Sequence, residues 1–116
     1  KILGFRTSED YGRILENIVF MELKRRNEEI YYHREKKECD FVIRDGYNIR
    51  EAIQVTQSLE NPDTRKREIE GLCEALKTYK LKEGFILTDD SEEEIEMSGK
   101  KIIVKPIWKW MLEELE

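Results

Sequence analysis

Four polar side chains stand where apolar neighbours are expected to pack, and their types suit divalent-cation chemistry. On a helical projection Glu16 lies between Val19/Leu23 and Phe20, so it does not sit on a fully solvated face. Asp40 falls between Cys39 and Phe41 in a β-rich run. Gln54 and Thr56, two apart in a third run, share one side of a strand. A hairpin can bring Asp40 and Gln54 into one neighbourhood, and a helix packed on that sheet adds Glu16. Two carboxylates and an amide oxygen then form an oxygen-rich pocket of the kind that holds Mg²⁺. The same residues admit a plainer arrangement, in which Glu16 pairs with a nearby arginine and Asp40 accepts hairpin hydrogen bonds.

The elements that must carry these residues follow from apolar spacing. Tyr11, Ile14, Leu15, Ile18, Val19 and Leu23 recur at helical intervals and predict a helix over 8–26. Thr7 or Ser8 can cap it, Glu9 and Asp10 suit its positive end, and Asn27 can take the left-handed conformation that ends it. Three strand-like runs follow, Ile30–His33, Cys39–Arg44 and Ile49–Gln57, with a hairpin signal at Asp45-Gly46. Consecutive Phe41, Val42 and Ile43 suit a strand covered on both faces. Asn61-Pro62 opens a second helix with an inward stripe of Ile69, Leu72, Cys73, Leu76 and Tyr79. A buried strand is expected at Phe85–Thr88, a solvated acidic loop over 89–96 and a last strand at Lys101–Lys105. After Pro106 a closing helix, Ile107–Leu115, turns Trp108, Met111 and Leu112 inward and leaves Trp110 off that side. The order α-β-β-β-α-β-β-α defines an α/β class, a mixed sheet with helices on both faces.

Composition narrows the functional classes. A chain of 116 residues is one domain, 1–116, able to build a single modest core. The opening Lys1, with Leu3 and Phe5 ahead of any helix signal, is expected of a piece cut from a longer polypeptide. The net charge of −5 is unevenly spread. Residues 89–96 and the tail Glu113, Glu114 and Glu116 hold nine carboxylates, and without them 17 acidic residues face 21 basic ones. The body is thus mildly basic, which neither excludes nor argues for nucleic acid. The apolar runs are too short to span a bilayer, and a cytoplasmic location with no membrane partner is expected. Cys39 and Cys73 sit in apolar segments and His33 stands alone, so buried reduced thiols are expected rather than a zinc site or a serine–histidine triad. Abundant Glu with Lys and Arg, against two Gln, is the bias of heat-adapted proteins.

Longer matches add a family resemblance. Gly12-Arg13-Ile14-Leu15-Glu16-Asn17-Ile18-Val19-Phe20, Ile30-Tyr31-Tyr32, Glu38-Cys39-Asp40-Phe41-Val42, Ile53-Gln54-Val55, Arg67-Glu68-Ile69 and Pro106-Ile107-Trp108-Lys109-Trp110 occur in order. Together they resemble a domain appended C-terminally to archaeal AAA+ ATPases, which is itself similar to the PD-(D/E)xK nuclease fold. The resemblance implies a restriction-endonuclease-like αβββαβ core, with a C-terminal strand and helix added. It gives Glu16 the role of the helical acid and Asp40 that of the metal-binding aspartate. It places Gln54-Val55-Thr56 where the (D/E)xK element belongs. Gln54 can offer a neutral oxygen to Mg²⁺, but Thr56 cannot orient a water or stabilise phosphorane charge as a lysine does. Glu51 points to the other face and does not restore the motif.

The expected function is therefore an accessory domain with a degenerate nuclease site made of Glu16, Asp40 and Gln54. Its partners would be the ATPase part of the same chain and DNA. ATP binding would lie elsewhere, because no GxxxxGK[ST] loop occurs here. An active Mg²⁺-dependent endonuclease is the alternative if Arg65, Lys66 or Arg67 supplies the missing cation; these three are also the candidate nucleic-acid contacts. A third reading is a protein-docking module, with Trp110 touching the ATPase portion or a second copy.

Overall fold

The computed structural model describes residues 8–113, with side chains from Asp10 onward. The expectations for Leu3, Phe5, the Thr7/Ser8 cap, Glu9, Glu114, Leu115 and Glu116 lie outside the described residues or side chains. The elements are α1 (Ser8–Arg25), β1 (Glu29–Arg34), β2 (Glu38–Asp45), β3 (Asn48–Val55), α2 (Pro62–Thr78), β4 (Glu83–Thr88), β5 (Glu93–Met97), β6 (Lys100–Pro106) and α3 (Ile107–Glu113).

Local chemistry explains most boundaries. Asn27 adopts φ 60° and closes α1, with the Glu28 amide bonding back to the Leu23 carbonyl at 3.1 Å. Asn61 caps α2 by accepting from the amides of Asp63 and Thr64 at 2.9 and 3.0 Å, and Pro62 fills the first helical position. Gly46, at φ 67°, makes the tight β2–β3 turn that Asp45-Gly46 announces.

The strands form one six-stranded mixed sheet in the order β1-β2-β3-β4-β6-β5. β1, β2 and β3 are an antiparallel meander, α2 crosses over so that β4 lies parallel to β3, and β6 extends the parallel part. On one face α2 packs Ile69, Leu72 and Leu76 against Val42, Ala52 and Ile86. On the other, Leu15, Val19 and Leu23 of α1 meet Phe41, Ile43 and Ile53, with Ile107 and Trp110 of α3 beside them. β2 is thus covered on both sides, as its continuous apolar run implies.

Two parts differ from the expectation. The acidic stretch is not wholly a loop, because Glu93–Met97 is an edge strand paired antiparallel with β6 through a turn at Ser98 and Gly99, both at positive φ. Its charge is tolerated because an edge strand meets water, and because Arg65 and Lys101 pair with Glu93 and Glu94. The closing helix is also rotated relative to the expected face. Trp110 is 6% exposed while Trp108 is 57% exposed. Arg26 pulls Trp110 inward, its guanidinium lying 4.3 Å from the ring centroid and donating to the Trp110 carbonyl at 3.1 Å. Glu22, buried beneath, fixes Arg26 at 2.8 Å and binds Arg25 as well. Trp110 is therefore a core contact, not the exposed docking residue its position suggested.

Candidate carboxylate pocket

The site begins with a fault in strand pairing. Tyr31 of β1 pairs with Val42 and His33 pairs with Cys39, so Asp40 and Phe41 together oppose the single residue Tyr32. That extra residue is a β-bulge on β2, a device that bends a strand and re-aims a side chain. It changes the parity of the strand, so that Cys39 joins Val42 on the α2 side while Phe41 keeps to the α1 side. Asp40, at the break, is accessible to both helices.

Glu16 of α1, Asp40 of β2 and Glu68 of α2 line one cleft of about 430 Å³, together with Gln54 and Arg67. Asp40 is held by the Val55 amide, which donates to Oδ2 at 2.8 Å. Burial nevertheless pushes the Asp40 carboxyl up to about 7, and the negative charges of Glu16 and Glu38 act in the same direction. Burial also raises Glu68 to about 7, reinforced by repulsion from Asp40, with Arg67 opposing. Glu16 is raised by partial burial as well, with Arg13 pulling the other way. One oxygen of Glu68, Oε1, is buried with no hydrogen-bond partner among the described residues. The other lies 3.5 Å from Arg67 Nε.

Gln54 does not offer a free oxygen to this cleft. Its Oε1 accepts from the Asp40 amide at 2.9 Å, and its Nε2 donates to the carbonyls of Glu38 and Glu68 at 2.9 and 3.1 Å. The side chain is 2% exposed and ties β2, β3 and α2 together. The expected third ligand is thus a clamp that positions Asp40 and Glu68. Gly71 makes this approach possible, since a Cβ there would come within 2.0 Å of the Glu38 carbonyl oxygen and 2.7 Å of Gln54 Nε2. Thr56 lies just beyond β3 in an adjoining cleft with Glu16, Arg67 and Glu68, its hydroxyl donating to the Ser58 carbonyl at 3.4 Å.

The three basic candidates on α2 separate. Arg65 is committed to Glu93 by two bonds of 2.6 and 3.0 Å, and Lys66 lines a different groove with Cys73 and Lys100. Neither supplies charge to Asp40; Arg67 does. Glu68 is the site residue that pattern reading missed. Its signal was the series Glu68, Leu72, Ala75 and Tyr79, which places a carboxylate on the inward stripe of α2.

Other polar groups are accounted for elsewhere. Ligand-type atoms of His33, Glu35 and Glu74 lie within 4.8 Å of one another. Both His33 nitrogens are already engaged, one 3.0 Å from the Tyr79 hydroxyl and the other 2.8 Å from Glu74, so this buried histidine ties β1 to α2. Cys39 is buried with its thiol on the carbonyls of Phe41 and Ile53 and pushed up to about 12, chiefly by burial, while Cys73 is only half-buried. Among the described residues, no helix is long and apolar enough to cross a membrane.

Fold and cleft together define a mixed α/β domain with a bulge-centred carboxylate pocket between its two helical layers. The chain belongs to the family described as Domain of unknown function (DUF4143), whose pattern matches residues 11–110. It is 41% identical over 116 residues to "Uncharacterized protein MJ1544" of the archaeon Methanocaldococcus jannaschii. That match covers 90% of this chain and 26% of the relative, so the chain spans about a quarter of the relative's length.

Proposed function

We propose that this chain is a nuclease-like accessory domain whose Glu16–Asp40–Glu68 pocket binds a divalent cation and engages the phosphodiester backbone of nucleic acid. The observation that carries the reading is Glu68: a carboxylate packed near two others, with one oxygen buried and unpartnered. Such a group is costly when ionised unless positive charge neutralises it. A hard divalent cation with oxygen ligands fits that need better than one arginine can. The run α1-β1-β2-β3-α2-β4 is in keeping with the nuclease-like core that the sequence resembles.

The residues divide the work as follows. Asp40, fixed by the Val55 amide, and Glu68, fixed through the Gln54 clamp on its carbonyl, would hold the cation with Glu16. Glu68 supplies the acid that the Gln54 position lacks. Bound there, Mg²⁺ supplies Lewis-acid stabilisation and a more acidic water. Arg67 faces the same cleft and can pair with a phosphate. Thr56 brings no positive charge, and losing one preorganised stabilising group typically costs about 10²–10³ in rate. Cleavage is accordingly slow. The greater length of the archaeal relative is compatible with an accessory role beside an ATPase part.

Calorimetric titration with Mg²⁺ and Mn²⁺ tests the reading, alongside incubation with linear, nicked and branched DNA. The expected result is saturable cation binding that is lost in Glu68→Gln and Asp40→Asn. Only slow, cation-dependent cleavage is expected, and Arg67→Ala should remove it. Cation binding unchanged in both carboxylate variants would overturn the assignment. Rapid cleavage would overturn the degenerate reading in favour of a full nuclease.

A further inference from the structure

Two consecutive tyrosines stand on β1 beside the bulge that re-aims Asp40. Regular alternation sends Tyr31 and Tyr32 to opposite faces of β1. Tyr31 shares the face of its partner Val42 and Tyr32 the opposite one, that of Phe41; on this edge strand both are exposed, 47% and 62%, and both line a cleft of about 360 Å³ with Phe20, Phe41, Glu16 and Asp40. Phe20 and Phe41 form its floor, stacked with centroids 6.5 Å apart and planes 25° from parallel. Tyr31 is steadied by Arg44, which donates to its hydroxyl at 3.4 Å. The volume lies at the small end of the range for small-ligand sites, ~300–1,000 Å³.

This aromatic cleft and the carboxylate pocket share Glu16, Glu38 and Asp40, so they are two halves of one depression. The carboxylate half also carries Lys36, Lys37 and Arg67. Flat apolar rings beside cations and a candidate cation site match the parts of one nucleotide: its base, its phosphate and the counter-ion.

We propose that the Tyr31–Tyr32 cleft is a stacking subsite for an unpaired nucleobase, which makes single-stranded nucleic acid the preferred substrate of the adjoining pocket. The proposal rests on the phosphodiester reading of that pocket. A paired base lies inside its stack and cannot enter; an unpaired or splayed base can lie against the tyrosine rings. Stacking tolerates different bases, so selection acts on strandedness more than on sequence.

Fluorescence anisotropy of the 116-residue chain with a short labelled single strand tests this, in EDTA and in Ca²⁺. The same strand annealed to its complement, and a version with abasic positions, serve as comparisons. Tyr31→Ala and Tyr32→Ala should each weaken single-strand binding about 10- to 100-fold, given the usual contribution of one base stack. Tyr32→Phe should bind like the wild type, because it keeps the ring. The duplex and the abasic strand should bind the wild type as weakly as the alanine variants bind the single strand. Both tyrosines are exposed, so unchanged thermal melts are expected to show that the variants fold. Ribose and deoxyribose versions run side by side identify the sugar that is preferred.

Unaltered affinity in both alanine variants, equal affinity for duplex, or no measurable single-strand binding overturns the proposal. The two readings fail separately. A tyrosine effect that persists when Asp40→Asn abolishes no Ca²⁺ dependence retains the stacking site and removes the cation site. A Ca²⁺ dependence carried by Asp40 with no tyrosine effect does the reverse.

Discussion

Replacing Asp40 by Asn should stabilise the cation-free protein at alkaline pH and leave it unchanged in acid. The Asp40 carboxyl is pushed up to about 7 from its ordinary 3.8, mainly by burial. Its folded-state value is thus above its unfolded one, and the folded chain binds more protons throughout that window. Stability therefore falls as pH rises from about 4 to about 7. A full shift of that size is worth about 4 kcal/mol at about 1.36 kcal/mol per unit. Some water reaches the cleft, and Glu68 can carry the proton in place of Asp40, so about 2 kcal/mol is the expected gain at about pH 8. The Asn amide keeps an oxygen for the Val55 amide while removing the charge. For a chain of this size the melting temperature should rise on the order of 5–10 °C at about pH 8 and hardly at all at about pH 4. Melts in EDTA across that range, by circular dichroism, measure it. Added Mg²⁺ should raise the wild type and not Asp40→Asn, since binding to the folded state alone stabilises it. A variant less stable than the wild type at high pH, or a gain independent of pH, refutes the buried-charge argument.

The other predictions concern the frame around the pocket. Gly71→Ala should cost about 2–3 kcal/mol despite the better helix propensity of Ala, because its Cβ would meet the Glu38 carbonyl oxygen and Gln54 Nε2; urea melts check this, and a neutral result would mean that α2 can slide on β2 and β3. Glu22→Gln should destabilise by about 2 kcal/mol at neutral pH. Arg25 and Arg26 hold the Glu22 carboxyl down at about 2, so its contribution is present above about 4.5 and is lost as pH falls toward 2, where wild type and variant should converge in acid melts. Trp110→Ala should cost about 3–5 kcal/mol through the cavity and the lost Arg26 contact; a variant as stable as the wild type would return Trp110 to the list of docking residues.

Several features were readable in order along the chain because their causes are local. The Asn61-Pro62 cap, the left-handed Asn27 and the glycine of the β2–β3 turn each depend on a few adjacent residues. The doubly covered strand was legible in Phe41-Val42-Ile43, since burial on both faces leaves an uninterrupted apolar run. Reading failed where charge stood on an element that pairs at long range. Glu93–Met97 looks solvated because its one inward residue, Ile95, is outnumbered by carboxylates whose partners lie elsewhere in the fold. Glu68 was overlooked for a related reason, being a charged residue on an otherwise apolar stripe.

What the amino-acid order alone determined is the succession of helices and strands, the α/β class, and the placing of Glu16, Asp40 and Gln54 on elements able to meet. Tertiary structure decided what each of them does. The β-bulge lets Asp40 face both helical layers and sets it opposite Tyr32, and no neighbour in sequence specifies it. Close approach of α2 at Gly71 converts Gln54 from a ligand into a clamp and brings Glu68 and Arg67 to Asp40. The cation–π contact with Arg26 selects which tryptophan of α3 is buried. Each of these outcomes is settled by distances between segments far apart in the chain, where periodicity carries no information.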